Sequence, residues 1–260
     1  MAALLAAAAP IATYLHQDFD RGELVERKGA TTISVCIPAR DEEATIGEIV
    51  HQVSRDLAGP GGLVDEVLVI DDRSGDRTAA EAAAAGAEVL AGPGLGKGEA
   101  MRLARGRGDV VVFLDGDVRN FSSHFVTGLL GPLLCWPGTV LVKACYARPD
   151  GTLATGGGRV TELVAKPLLS LLFPELAGFE QPLAGETALR GFVLDELELD
   201  GGYGIEMGLL VDAVKRYGAC RLAQVDLGSR VHRNRTLEEL APEARQVIAA
   251  ALGRAGLLSR

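Results

Sequence analysis

The feature that most constrains this chain is an alternation running through residues 33–117. Short, almost wholly apolar runs take turns with segments of helical periodicity, and several of the runs end in acids. Ile33-Ser34-Val35-Cys36-Ile37 is the first run, and Pro38 is expected to end it. Asp41, Glu42 and Glu43 suit a helix start by capping and by the helix dipole. Ile46, Ile49, Val50, Val53 and Leu57 then recur at helical spacing. Residues 67–70, 88–90 and 110–114 follow as strands, with helices over 78–85 and 99–105 between them. Runs that are apolar at nearly every position are those buried on both faces. The pattern therefore predicts an α/β fold: a mostly parallel, Rossmann-like central sheet with helices on both faces. Ligands of such sheets bind at the carboxyl ends of the strands. Three of those ends carry polar residues: 38–43, 71–74 and Asp115-Gly116-Asp117.

The second half is less regular. Helices are expected over 123–134, 159–172 (kinked at Pro167), 203–217 (stopped by Gly218) and 236–252 (stopped by Gly253). Strands are expected over 139–147 and 223–227, and a flexible turn at 155–158. Residues 1–15 are rich in Ala and Leu, lack a basic start and are interrupted by Pro10. They read as a packing or frayed helix, too short to span a bilayer. No later apolar run is long enough either, so a soluble, cytoplasmic protein with no membrane partner is expected.

Charge narrows the partners. The net charge is −9, which argues against a broad nucleic-acid-binding face. An anionic ligand must meet a local basic pocket, and Arg230-Val231-His232-Arg233-Asn234-Arg235 is such a concentration. The four cysteines form no CxxC pair and read as small buried hydrophobes in a reducing compartment.

Several residues carry candidate chemistry. Asp115 and Asp117, one residue apart at a strand end, can hold Mg²⁺ or Mn²⁺ between hard oxygens. Such a metal would bridge and neutralise a diphosphate leaving group; the bland alternative is a capped turn. The Gly92–Gly98 stretch is neither a P-loop, since Gly98 follows Lys97, nor a dinucleotide fingerprint, since it does not follow the first strand. Its amides and Lys97 can still meet phosphate, or it is a tight turn. His232 is a possible third metal ligand or phosphate contact. Glu206, at a helix start, can hold an acceptor hydroxyl, act as a base or simply suit the helix dipole. Arg159 and Thr161 follow three glycines at an expected helix start, a ready anion site, unless Arg159 is merely solvated.

Taken in order, the stretches 38–43, 96–100, 115–117, 156–163, 182–186, 202–206, 223–228 and 232–235 resemble those of glucosyl-3-phosphoglycerate synthases. The most specific are Gly-Gly-Gly-Arg-Val-Thr-Glu-Leu (156–163) and His-Arg-Asn-Arg (232–235). The resemblance implies a GT-A fold and a retaining transferase. It would move glucose from UDP-glucose to the 2-hydroxyl of 3-phosphoglycerate, with Mg²⁺ or Mn²⁺ as cofactor. It implies a nucleotide-sugar site of Pro38, Ala39, Arg40, Glu42, Asp72, Lys97, Asp115, Gly116, Tyr203 and Glu206. The metal falls to Asp117 and His232, and the acceptor to Gly158, Arg159, Val160, Thr161, Asn234 and Arg235. Asp117, Glu206 and Lys97 carry the catalytic roles. Residues 1–30 become an N-terminal helical extension and 31–260 a single domain. Its 31–120 half takes the nucleotide sugar; its 121–260 half takes the acceptor and the contact of a homodimer. Arg40 stands where the family usually has an aliphatic residue, Asp72 where it has a small polar one, and Gly116 where serine is usual. Three alternatives remain at this level. They are a GDP-sugar donor, a mannosyl donor to the same acceptor, and a nucleotide-sugar-binding protein without turnover.

Overall fold

The computed structural model describes residues 11–147, 158–231 and 236–258. Its centre is one eight-stranded sheet. The strands are β1 (Ala12–Leu15), β2 (Ile33–Ala39), β3 (Glu66–Asp71), β4 (Glu88–Ala91), β5 (Val110–Phe113), β6 (Leu141–Ala147), β7 (Thr187–Arg190) and β8 (Leu222–Ser229). Their spatial order is β1-β8-β6-β7-β5-β2-β3-β4. Every pairing is parallel except those of β7, which runs antiparallel to both β5 and β6.

Alternate residues of the central strands feed two separate cores. Val35, Ile37, Val110 and Val112 face one apolar cluster; Cys36, Val111 and Phe113 face the other. This two-sided burial is the cause of the near-continuous apolar runs in the sequence. The first face is covered by α2 (Ile46–Leu57), α3 (Thr78–Ala84) and α5 (His124–Cys135). The second is covered by α4 (Lys97–Arg102), α6 (Lys166–Leu172), α7 (Gly191–Glu196), α8 (Ile205–Tyr217) and α9 (Leu237–Arg254). In α2 the expected Ile46, Ile49, Val50, Val53 and Leu57 are the buried positions. At about 25 cal/mol per Å² of apolar surface, such stripes hold the helices to the sheet.

Several expectations need correction. Residues 12–15 are a strand, not part of a helix: β1 pairs in parallel with Ala223–Asp226 of β8. A short apolar run fits either state, and here the open edge of β8 decided it. Residues 12–28, including α1 (Arg21–Lys28), thus belong to the same sheet and core instead of standing outside as a helical extension. Pro38 does not end β2. Pairing to β5 stops at Cys36–Phe113 while pairing to β3 continues to Ala39–Asp71. A residue without an N–H is tolerated where only one neighbour remains. Asp41 and Glu43 do not start α2. They reach across to the next loop, with Asp41 accepting from Gly75 N (2.7 Å) and Glu43 from Arg77 N (3.0 Å). The helix expected over 159–172 is continuous, and Pro167 lies inside it. Its turn at Thr161–Ala165 is π-helical, the irregularity that accompanies a residue without an N–H in a helix interior. α9 runs one residue past Gly253. Cys36 and Cys145 are buried as expected, but Cys220 is exposed. Residues 1–10 and most of the turn expected at 155–158 lie outside the described residues. Among the described residues, no helix is long and apolar enough to cross a membrane.

Candidate active site

The carboxyl ends of β2, β3 and β5 open into one cavity of about 1200 Å³. Every expected site residue that the structure describes lines it. Pro38, Ala39, Arg40 and Glu42 come from the end of β2, Asp72 from the end of β3, and Lys97 from the start of α4. Asp115, Gly116 and Asp117 follow β5. Gly158, Arg159, Val160 and Thr161 approach from the far side, and Tyr203 and Glu206 from the start of α8. His232, Asn234 and Arg235 lie outside the described residues.

The acids are gripped by cations. Lys97 Nζ lies 2.6 Å from Asp115 Oδ1 and 2.9 Å from Glu206 Oε1. Arg230 Nη2 donates to Asp115 Oδ2 (2.8 Å) and to Asp117 Oδ1 (2.9 Å). Its Nη1 donates to Tyr146 Oη at 3.0 Å, and its Nε faces Glu186 Oε1 at 2.9 Å. Burial by itself would push the Lys97 ammonium down, but Asp115 and Glu206 outweigh it and hold the group well above its ordinary range. Burial likewise works against the Asp115 carboxylate, and Lys97 and Arg230 overcome it, holding that carboxyl well below its usual range. Glu186 is fully buried, which pushes its carboxyl up against the pull of Arg230. Asp115 is therefore ionised at any working pH.

Each loop is fixed by its neighbours. The Asp72 carboxylate accepts from Gly94 N (2.7 Å) and Gly96 N (2.9 Å), so it shapes the loop that delivers Lys97 as well as lining the cavity. A Cβ at Gly98 would lie 1.8 Å from the Asp200 carbonyl oxygen, so glycine alone lets the 200–204 turn close on α4. Gly185 packs as tightly: a Cβ there would lie 2.0 Å from Asp115 Oδ1. The Tyr203 N–H donates to Gln246 Oε1 of α9 (2.7 Å), and α9 walls the cavity from Thr236 to Val247. Arg159 is exposed and Thr161 buried in the first turns of their helical segment.

Asp115 and Asp117 present hard oxygens within reach of a single cation, the guanidinium of Arg230, which suits a divalent metal of the Mg²⁺ or Mn²⁺ type. Among the described residues no group of three metal-type ligands is complete. The third expected ligand, His232, lies outside them. Sequence reasoning missed Arg230 as an individual, although it opens the basic stretch 230–235. It also missed Glu186 and Lys143; the signal for Lys143 was a lone charge inside the apolar run Leu141-Val142-Lys143-Ala144-Cys145.

Residues 34–151 match glycosyl transferase family 2. A glucosyl-3-phosphoglycerate synthase of Mycolicibacterium paratuberculosis is 49% identical over 252 residues, which is 90% of this chain and 76% of that one. The chain belongs to the glucosyl-3-phosphoglycerate synthase family. A crystal structure of the Mycobacterium tuberculosis glucosyl-3-phosphoglycerate synthase with Mn²⁺, UDP-glucose and phosphoglyceric acid superposes with a TM-score of 0.88. It is 45% identical, and the match covers 97% of this chain and 90% of that one. A second structure of that synthase holds Mn²⁺, UDP and glucosyl-3-phosphoglycerate, with a TM-score of 0.87 at 44% identity. The family fold is the GT-A fold expected from the sequence, and the antiparallel β7 is the feature that the strand pattern did not reveal.

Proposed function

We propose that this chain is a retaining, divalent-metal-dependent glucosyltransferase. It transfers glucose from UDP-glucose to the 2-hydroxyl of 3-phosphoglycerate and releases UDP. One observation carries the reading: the acids after β5 and the Arg159–Thr161 helix start face a single cavity, as donor and acceptor sites must. The uridine end lies along Pro38, Ala39, Arg40 and Glu42. Lys97 and Arg230 set the charge around the diphosphate. Asp117 and His232 would hold the metal, with Asp115 beside them, and the metal when bound neutralises the diphosphate as it leaves. Gly158, Arg159, Val160 and Thr161, with Asn234 and Arg235, receive the phosphate and carboxylate of the acceptor, as helix-start amides and guanidinium donors do. Tyr203 and Glu206 line the sugar. Residues 31–120 thus form the nucleotide-sugar half and 121–260 the acceptor half.

Glu206 is ion-paired to Lys97 at 2.9 Å, so it is placed to orient hydroxyls and not to attack carbon. Without a carboxylate nucleophile, retention follows from attack on the face the diphosphate leaves. The bond from the anomeric carbon to the diphosphate oxygen breaks, the bond to the acceptor oxygen forms, and the acceptor proton departs with UDP. A homodimer through the 121–260 half and a cytoplasmic location complete the proposal. The exposed Leu163, Leu171 and Leu257 supply apolar surface of the kind dimers cover. Light scattering at twice the chain mass would support the dimer.

The deciding experiment measures UDP release with UDP-glucose, Mg²⁺ and 3-phosphoglycerate, each omitted in turn. Release that needs all three is expected. UDP release indifferent to 3-phosphoglycerate would discard the acceptor, and no UDP release, with GDP released when GDP-glucose takes the place of UDP-glucose, would discard the donor.

A further inference from the structure

Lys143 lies on β6, is only 1% exposed and does not line the cavity. A lysine so placed must be held by hydrogen bonds to offset its desolvation. Its Nζ donates to the carbonyl oxygen of Ala184 and to Thr187 Oγ1 (3.0 Å). Thr187 is its direct partner across the antiparallel β6–β7 ladder. The peptide of Glu186 is tied to the same strand, its oxygen accepting from Ala144 N at 3.0 Å.

The segment held in this way runs from Leu183 to Glu186. Its front face belongs to the site: Leu183 and Gly185 line the cavity, and Gly185 touches the Asp115 carboxylate. Its end, Glu186, sits against Arg230, which bridges Asp115 and Asp117. The Lys143 ammonium thus holds from the rear a stretch that packs against Asp115. Its charge also lies near Glu206 and Asp115, which oppose the loss of its proton, while burial brings the ammonium down to about 8.

We infer that Lys143 is a positioning residue for glucosyl transfer, holding the 183–186 segment so that Asp115 and Arg230 keep their placement beneath the donor diphosphate. The inference rests on the transferase reading above. It predicts a split between chemistry and binding. Lys143→Met keeps the side-chain length but removes the donors and the charge. It should lower kcat by about 10- to 100-fold, the scale of a misplaced positioning group, with both KM values within about threefold. Thr187→Val removes one of the two acceptors and should lower kcat less, whereas Thr187→Ser restores the hydroxyl and should restore kcat. The measurement is steady-state UDP release with both substrates varied, beside a thermal melt of each variant.

If Lys143→Met does not fold, the Thr187→Val and Thr187→Ser pair decides alone. Unchanged kcat in Lys143→Met, or in Thr187→Val when only that pair can be read, overturns the inference. So does a loss that falls wholly on either KM, or equal loss in Thr187→Val and Thr187→Ser. A wild-type enzyme that releases no UDP with 3-phosphoglycerate sinks the transferase reading and this inference together. Normal wild-type turnover with unaffected variants sinks this inference only.

Discussion

Arg159 is the exposed cation at the start of the helical segment facing the cavity, and its loss removes one charged contact to an anion. Arg159→Ala should raise the KM for 3-phosphoglycerate by about 10-fold or more, with the KM for UDP-glucose nearly unchanged, since a charge-assisted hydrogen bond is worth roughly 1.5–3 kcal/mol. A change confined to the donor KM would misplace the acceptor site. Gly185 tests the opposite kind of contact. Its substitution by alanine would drive a methyl group to 2.0 Å from Asp115 Oδ1, so Asp115 must shift. Gly185→Ala should cost about 100-fold in kcat, as displaced catalytic groups do, and a variant with wild-type kcat would show that the acid is not held as described. Lys143 adds a dependence on pH. Its folded pKa is lowered to about 8 by burial, so between about pH 8 and its unfolded value near 10.4 the unfolded chain binds the extra proton. Stability contributed at this position therefore rises with pH across that window, by at most about 1.4 kcal/mol per pH unit. Denaturant melts of the wild type and Lys143→Met should diverge in the wild type's favour from pH 8 to 10, and parallel curves would place the ammonium outside its buried setting.

Elements matter here chiefly by where they begin. α4 and α8 both start at the cavity and deliver Lys97 and Glu206 to each other at 2.9 Å. α9, far along the chain, fixes the entry to α8 through Gln246 and the Tyr203 N–H. Arg254, the last residue of α9, binds Asp200 of that turn and Asp212 of α8 at 2.6 Å each, so one helix holds the turn at two points. Gln246→Ala should loosen that turn. It is expected to lower stability by about 1 kcal/mol, the worth of one hydrogen bond, and to reduce kcat more than either KM. A variant with unaltered kinetics and a lower melting temperature would make the contact purely structural. The helices α2, α8 and α9 were legible in the sequence: α2 and α9 bury spaced apolar positions, and α8 is buried at nearly every position from Ile205 to Val214. The first four residues of the sheet, Ala12–Leu15, were not, since nothing local separates a short edge strand from a helical turn.

Across the whole molecule the two cores decide which side chains solvent can reach. Burial pushes the Cys36 thiol and the Cys145 thiol up to about 12 each, and the thiolate is the reactive form. Cys220 is exposed. A thiol-exchange titration of the native protein at pH 8 should therefore show Cys220 reacting fast, with Cys36 and Cys145 reacting only after denaturation. Fast reaction at Cys36 would mean that the sheet is open where it is drawn closed. The parallel sheet over residues 33–113, the acids at its strand ends and the family to which those motifs point are written in the amino-acid sequence. These are local signals, carried by the period of burial and by contiguous motifs. Three placements appear first in the folded chain: β7 inserted antiparallel between β5 and β6, Ala12–Leu15 completing the edge beside β8, and Arg230, Glu186 and Lys143 standing behind Asp115. Those placements join residues up to 211 positions apart, as the Thr13–Gln224 hydrogen bond shows. Their energy comes from strand pairing, apolar burial and charge pairing between distant segments, which no local pattern encodes.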